Sequence, residues 1–338
     1  MLIVAILLSL TSCGGRVSLQ KFTDYSFEYF DTVTTFVGYE NEKEEFDLVF
    51  DKVKLLMSYY HKLFDIYHTY EGVNNLATIN SLQDGKHKEV KVEKELIDFM
   101  LFAKEMYMLT NGKTNVAMGS VLSIWHNYRT EGADNPDAAK IPSMDELKAA
   151  AEHTNIENVI IDAPKSTVFL SDPKMKLDVG ALAKGYAVEK IYQYLKEQNL
   201  SGYIINIGGN IKTLGTHPNK KEFAVGIENP DLQDSENPYI ETLNIKNTSV
   251  VTSGNYQRYY TVNGKNYHHI IDPSTLMPSE YFTLVSVMCE DSGVGDALST
   301  ALFCMDIESG KKLLSKVDNA EAIWVTMDGK KHKTDGFK

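Results

Sequence analysis

The chain has 338 residues, 43% of them hydrophobic and 24% charged, enough to bury a sizeable core in one large or two modest domains. Its formal net charge of −12 argues against nucleic acid or an anionic membrane surface as the main partner. Any anionic ligand must therefore be met by local help from a cation, lysines or backbone amides.

Residues 2–10 (Leu-Ile-Val-Ala-Ile-Leu-Leu-Ser-Leu) form an apolar run too short to span a bilayer. The run ends at Leu10-Thr11-Ser12-Cys13-Gly14 and, although no basic residues precede it, resembles the lipobox of a bacterial lipoprotein signal, whose cysteine is lipidated and whose preceding residues are removed. An ordinary secretory peptide or a buried first strand is the alternative. On the lipoprotein reading residues 1–13 are the signal, residues 14–20 a tether and residues 21–338 the folded domain. The protein is then extracytoplasmic, held to the bacterial cell membrane through its lipid anchor only. Three cysteines are too few for a disulfide scaffold. Cys289 and Cys304 read as core thiols on a strand and a helix, with a bridge between them left open.

From Tyr25 to Val37 aromatic and β-branched residues alternate with polar ones, predicting an edge strand and its hairpin partner. Asn41-x-x-Glu44 resembles a capping box opening a helix with Phe46, Val49, Phe50, Val53, Met57, Tyr60 and Phe64 on one face. A second helix over 93–110 stops at Asn111-Gly112. His61, His68 and His87 lack ligand spacing and read as surface or capping residues. Residues 130–140 read as a polar loop, Ser143 as the cap of a short helix, and Val159 to Leu170 as a hairpin broken at 163–166.

The centre of the chain is Leu177-Asp178-Val179-Gly180-Ala181-Leu182-Ala183-Lys184-Gly185. Met175, Leu177 and Val179 alternate as in a half-buried strand, whereas Val188, Ile191, Tyr192 and Leu195 follow the helical period. Strand, tight turn and helix start place Asp178 and Lys184 beside free amides and a positive dipole end, a natural anion site. An aspartate cap and a surface lysine are the plain alternative. Tyr203 to Ile207 reads as a strand covered on both faces, ended by Gly208-Gly209-Asn210. Asn263-Gly264 between β-rich runs predicts a hairpin whose second arm carries His268 and His269 on opposite faces. In the helix opened by Ser292, Asp296 and Thr300 stand four apart on one face and can supply two oxygen ligands to a hard cation. A dipole-stabilised aspartate with a threonine bonded back to its helix is the alternative.

Five stretches combine these features in register. They are Leu177 to Gly185, Asn206-Ile207-Gly208-Gly209-Asn210, Thr252-Ser253-Gly254-Asn255-Tyr256, Tyr267-His268-His269-Ile270-Ile271-Asp272-Pro273 and Asp296-Ala297-Leu298-Ser299-Thr300. Together they resemble the ApbE family, the FAD:protein FMN transferases, from about Phe30 to the C-terminus. The resemblance implies an α+β fold related to the tunnelling fold, with mixed sheets and packed helices, and Mg2+ dependence. It implies Ala181 (through its carbonyl), Asp296 and Thr300 as metal ligands. Asp178, Lys184, Asn115, Val116, Ala117, Ser253 and Gly254 become contacts for FAD, which is the substrate. His269 is the proton acceptor, favoured because an ordinary histidine titrates near neutrality, with Asp296 as the alternative catalytic group. Two positions depart from the family: its Met-Gly-Thr is here Phe30-Asp31-Thr32, and its Pro-x-Thr-Gly is Pro273-Ser274-Thr275-Leu276.

The implied reaction moves FMN from FAD onto a Thr or Ser hydroxyl of an acceptor flavoprotein, with AMP leaving. A Mg2+-dependent FAD pyrophosphatase yielding FMN and AMP, or a flavin-binding lipoprotein without turnover, remain open at this point.

Overall fold

The computed structural model describes residues 19–81, 88–219 and 221–338. The signal with Cys13, the tether up to residue 18 and His87 lie outside the described residues. Gln20, assigned above to the tether, already belongs to the first strand.

One antiparallel sheet of eight strands forms the frame. In spatial order its strands are Gln20–Ser26, Thr34–Glu40, Tyr203–Ile207, Asn210–Leu214, Ser249–Gly254, Phe282–Cys289, Glu321–Thr326 and Lys331–Lys333. The alternation along each strand sorts side chains onto two faces. Val285, Val287, Cys289 and Trp324 pack against Leu298, Leu302 and Phe303 of the Ser292–Phe303 helix. Val250, Leu284, Ile323 and Val325 pack under a separate hairpin of Phe223–Glu228 and Tyr239–Ile245. A second core joins the Lys43–Phe64, Lys94–Leu109 and Ala183–Glu197 helices to a three-stranded sheet that includes Val159–Asp162 and Thr167–Leu170. Mixed sheets with packed helices bear out the α+β expectation. Among the described residues, no helix is long and apolar enough to cross a membrane.

The two helices that frame the centre of the molecule cross at Gly185. A Cβ there would stand 2.3 Å from the Ser292 carbonyl oxygen and 2.5 Å from Asp296 Cβ, so only glycine allows the approach. Behind the crossing, Lys212 pairs with Glu189 at 3.1 Å, and Glu189 Oε2 accepts the Ser292 amide at 3.0 Å. Gly185→Ala should therefore lower stability by about 1–3 kcal/mol, overpacking outweighing the gain in helix propensity. An unchanged thermal midpoint in that variant would contradict the close crossing.

Several local expectations are corrected. The first hairpin pairs Gln20–Ser26 with Thr34–Glu40, so it starts earlier than Tyr25. The Asn41 capping box does not form: Asn41 Nδ2 donates to Glu45 Oε2 at 3.3 Å, and the helix starts at Lys43 without a side-chain cap. The supposed loop at 130–140 continues the Gly119–Asp134 helix before a short 3-10 turn. Tyr203, Ile205 and Ile207 are buried while Ile204 and Asn206 are half-buried, so that strand has one fully covered face rather than two. Met175 to Val179 forms no strand and joins no sheet among the described residues. Its alternation is real, since Met175, Leu177 and Val179 are buried, yet the pairing strand is replaced by one side chain. Asn80 Oδ1 accepts the Leu177 amide at 2.8 Å and Asn80 Nδ2 donates to its carbonyl at 3.0 Å. Cys289 and Cys304 are buried free thiols, each raised to about 12 chiefly by burial.

Candidate functional site

After Leu177 the Asp178 amide donates to the Val116 carbonyl at 2.8 Å. Asp178 Oδ1 then accepts the Gly180 amide at 2.9 Å, and the Ala183–Glu197 helix begins. In a regular helix the Gly185 amide would bond the carbonyl four residues back, that of Ala181. Here it donates instead to Asp296 Oδ2, at 2.8 Å. The Ala181 carbonyl thus stays outside the helix ladder, and the Asp296 carboxylate is fixed against the start of a different helix.

Asp296 is buried. Burial pushes its carboxyl above the usual carboxylate range, while Lys184, the Gly185 amide and Asn210 act in the other direction. Lys184 Nζ lies 3.9 Å from Asp296 Oδ2 and 3.3 Å from the Gly180 carbonyl. The Thr300 hydroxyl makes no hydrogen bond among the described residues, so the threonine that bonds back to its own helix is not what the fold builds. Asn210 Oδ1 is buried without a partner.

Ala181, Asp296 and Thr300 line one cleft of about 270 Å3 together with Asp178, Lys184, Asn115, Ser253, Gly254 and His269. Five stretches from across the sequence therefore converge. Val116 and Ala117 do not reach the cleft. Asn115 Oδ1 accepts the Ala117 amide at 2.9 Å, and the resulting 3-10 turn drives both side chains into the core. Their part is to hold Asp178 through the Val116 carbonyl. Burial also raises the Asp178 carboxyl, against the Gly180 amide, His126 and Arg129. Ser253 Oγ meets Ser299 Oγ at 2.8 Å, tying the Thr252-Ser253-Gly254 turn to the Asp296 helix.

The two histidines separate, though neither simply faces solvent. His268 is buried, with Nε2 on the Ser279 carbonyl at 2.8 Å and Nδ1 on the Ile270 amide at 3.2 Å. His269 lines the cleft. Its Nδ1 lies 3.3 Å from the Arg258 carbonyl, a contact that assigns the proton to Nδ1 and leaves Nε2 as the basic atom. The ring is pushed down to about 3 by burial and then by Arg258 and Arg129. The near-neutral titration expected of it is thus corrected for the ligand-free protein: it is neutral and a weak base.

Both departures from the family pattern keep a left-handed backbone without glycine. Asp31 has φ +48° and Leu276 φ +60°. Leu276 is buried beside Trp125, whose Nε1 donates to the Leu276 carbonyl at 2.9 Å, whereas Asp31 is exposed. Leu276→Gly should cost about 1–3 kcal/mol, since lost burial exceeds the relieved strain. Asp31→Gly should stay within about 1 kcal/mol, strain relief offsetting glycine's entropy. Chemical denaturation of the two variants checks this contrast, and equal losses would contradict it.

Tyr67, Trp125, His126, Arg129 and Arg258 also line the cleft and were not marked out by any motif. One signal was available: the chain has only three arginines, Arg16, Arg129 and Arg258, and the latter two meet here.

Comparison with known proteins places this arrangement. The ApbE family model matches residues 30–324. The FAD:protein FMN transferase of Klebsiella pneumoniae is 33% identical over 275 residues, covering 78% of this chain and 81% of that protein. The FAD:protein FMN transferase of Treponema pallidum is 28% identical over 340 residues, covering 96% and 90%. The crystal structure of the ApbE protein of Thermotoga maritima superposes with a TM-score of 0.80 at 27% identity, covering 94% of this chain and 98% of that one.

Proposed function

The chain belongs to the ApbE family and is a transferase, and from this premise we propose that it is a Mg2+-dependent FAD:protein FMN transferase. In the proposed reaction a Thr or Ser hydroxyl of an acceptor protein attacks the FMN-side phosphorus of FAD, AMP leaves, and FMN stays attached through a phosphoester.

The observation that carries this reading is the diversion of the Gly185 amide to Asp296. It frees the Ala181 carbonyl beside a buried carboxylate and an unbonded threonine hydroxyl in one cleft. No cluster of three or more His, Cys, Asp or Glu among the described residues suits a metal. A cation here would be held by oxygen donors, which suit a hard cation such as Mg2+. Ala181, Asp296 and Thr300 would hold it. When bound, it supplies charge neutralisation at the diphosphate.

The chain's own residues do the rest. Lys184 and the free amides at the helix start offset negative charge growing on the leaving phosphate. His269 Nε2 takes the proton of the attacking hydroxyl. A bound diphosphate offsets Arg129 and Arg258 and so raises the basicity of that ring from its ligand-free value. Attack and departure are in line, so catalysis is mostly positioning and charge stabilisation.

Incubating the protein with FAD, Mg2+ and candidate acceptors tests the reading. The expected result is AMP together with a fluorescent acceptor band. AMP without labelled protein would show hydrolysis instead, and intact FAD would show binding without turnover. Cys13 is further proposed to carry the lipid anchor outside the cytoplasm. Cys13→Ser should then leave the membrane fraction, and an unchanged distribution would contradict it.

A further inference from the structure

The cleft has a basic side whose charge no ion pair of the described residues balances. Arg129 and Arg258 are two of the three arginines in a chain that is otherwise rich in acid, and both line the cleft. Neither forms an ion pair with a carboxylate among the described residues. The lysines nearby differ in this respect. Lys113 pairs with Asp272 at 2.7 Å, and Lys184 faces Asp296.

Each guanidinium is held by neutral partners. Arg129 Nη2 lies 3.2 Å from His126 Nδ1, and the Tyr67 hydroxyl reaches the same nitrogen at 3.4 Å. His126 Nδ1 is therefore an acceptor, its proton sits on Nε2, and burial followed by Arg129 lowers its basicity. Arg258 Nη2 donates to the Asp31 carbonyl at 2.7 Å. Arg129 also faces Tyr67, Arg258, Asp178 and Tyr260. Arg258 and His269 add positive or proton-accepting character, and the acidic groups around them are Asp178 and the exposed Asp31, both of which act on Tyr67 and His126. Arg129 is half-buried and Arg258 stands exposed at the rim, each fastened by an uncharged acceptor. Two like charges brought to one cleft, one of them partly desolvated, favour an anion between them. The guanidinium fork matches the paired oxygens of a phosphate.

We propose that Arg129 and Arg258 form a phosphate-recognising subsite, a second anchor for the nucleotide beside the Lys184 end of the cleft. The ligand it takes is a phosphate of a nucleoside diphosphate. This rests on the nucleotide reading of the cleft, but its test separates the two. Arg129 is the cleaner position to vary, because Arg258 also holds the Asp31 loop.

Calorimetric titration of the full-length protein with ADP, FAD and riboflavin, with and without Mg2+, is the experiment. Arg129→Gln should bind ADP and FAD about 10- to 100-fold more weakly, the loss of a charge-assisted bond, with riboflavin affinity unchanged. Arg129→Lys should recover only part of the loss, since it keeps the charge and gives up the fork. Unchanged ADP affinity in a folded Arg129→Gln variant would overturn the subsite. So would a loss confined to transfer onto the acceptor protein, which would place a carboxylate of that protein there instead. If riboflavin and ADP affinities fell together, a collapsed cleft would be the cause and the subsite would be rejected. If the wild-type protein bound ADP through Arg129 but no flavin, the subsite would stand and the transferase reading would fall.

Discussion

Asp296→Ala should lower FMN transfer on the order of a hundred- to a thousandfold, the scale of removing one preorganised charge-stabilising group, and should remove the response to Mg2+. The side chain holds two things at once: the start of the Ala183–Glu197 helix, through the Gly185 amide, and one face of the proposed cation site. Asp296→Asn separates them. A carboxamide oxygen still accepts the Gly185 amide, so folding persists, yet the anionic donor is gone. Removing a buried carboxylate also removes its desolvation cost, so Asp296→Asn should keep most of the thermal stability. Asp296→Ala, by contrast, leaves the buried Gly185 amide unpaired and should cost about 1–3 kcal/mol. Asn and Ala variants with wild-type turnover and an intact Mg2+ response would take Asp296 out of the site. Collapse of the Asn variant would mean the residue is purely structural.

His269→Ala should retain FAD affinity and lose transfer by about a hundred- to ten-thousandfold, the range for a general base. Its titration gives a second readout. Because the folded ring titrates at about 3 and an unfolded histidine near 6.5, protons bind the unfolded chain first. The ligand-free protein should therefore lose stability as pH falls from about 6.5 towards 3, and His269→Ala should lose less over that window. In the substrate complex, where a diphosphate faces Arg129 and Arg258, the acid limb of kcat should lie above the ligand-free value. Loss of FAD affinity in His269→Ala would make the histidine a binding or structural residue instead.

What could be read from sequence follows from where the partners lie. Asp178, Lys184, His269, Asp296 and Thr300 stood out locally, Ala181, Ser253 and Gly254 only through the resemblance of five motifs in register to the ApbE family, and all of them line the cleft. The Asn263-Gly264 hairpin was also legible locally, since local backbone demands decide it. The misreadings share a different cause. Met175 to Val179 has the period of a strand, but its pairing group is Asn80, 97 positions away. Val116 and Ala117 sit in the right segment, yet the Asn115 cap turns them into the core. The freeing of the Ala181 carbonyl depends on a bond between residues 111 apart. Arg258 reaches the Asp31 loop across 227. Periodicity reports which side of a segment is apolar; it does not report which distant polar group completes it.

The central claim is that a strand-like segment, a helix start and a second helix bring three oxygens to one divalent cation. Anomalous diffraction from a crystal grown with Mn2+ and ADP tests it most directly. The expected result is a single strong peak in contact with the Ala181 carbonyl, Asp296 and Thr300, lost in Asp296→Ala. A peak elsewhere in the cleft, or bound ADP with no metal at these three oxygens, would contradict the account.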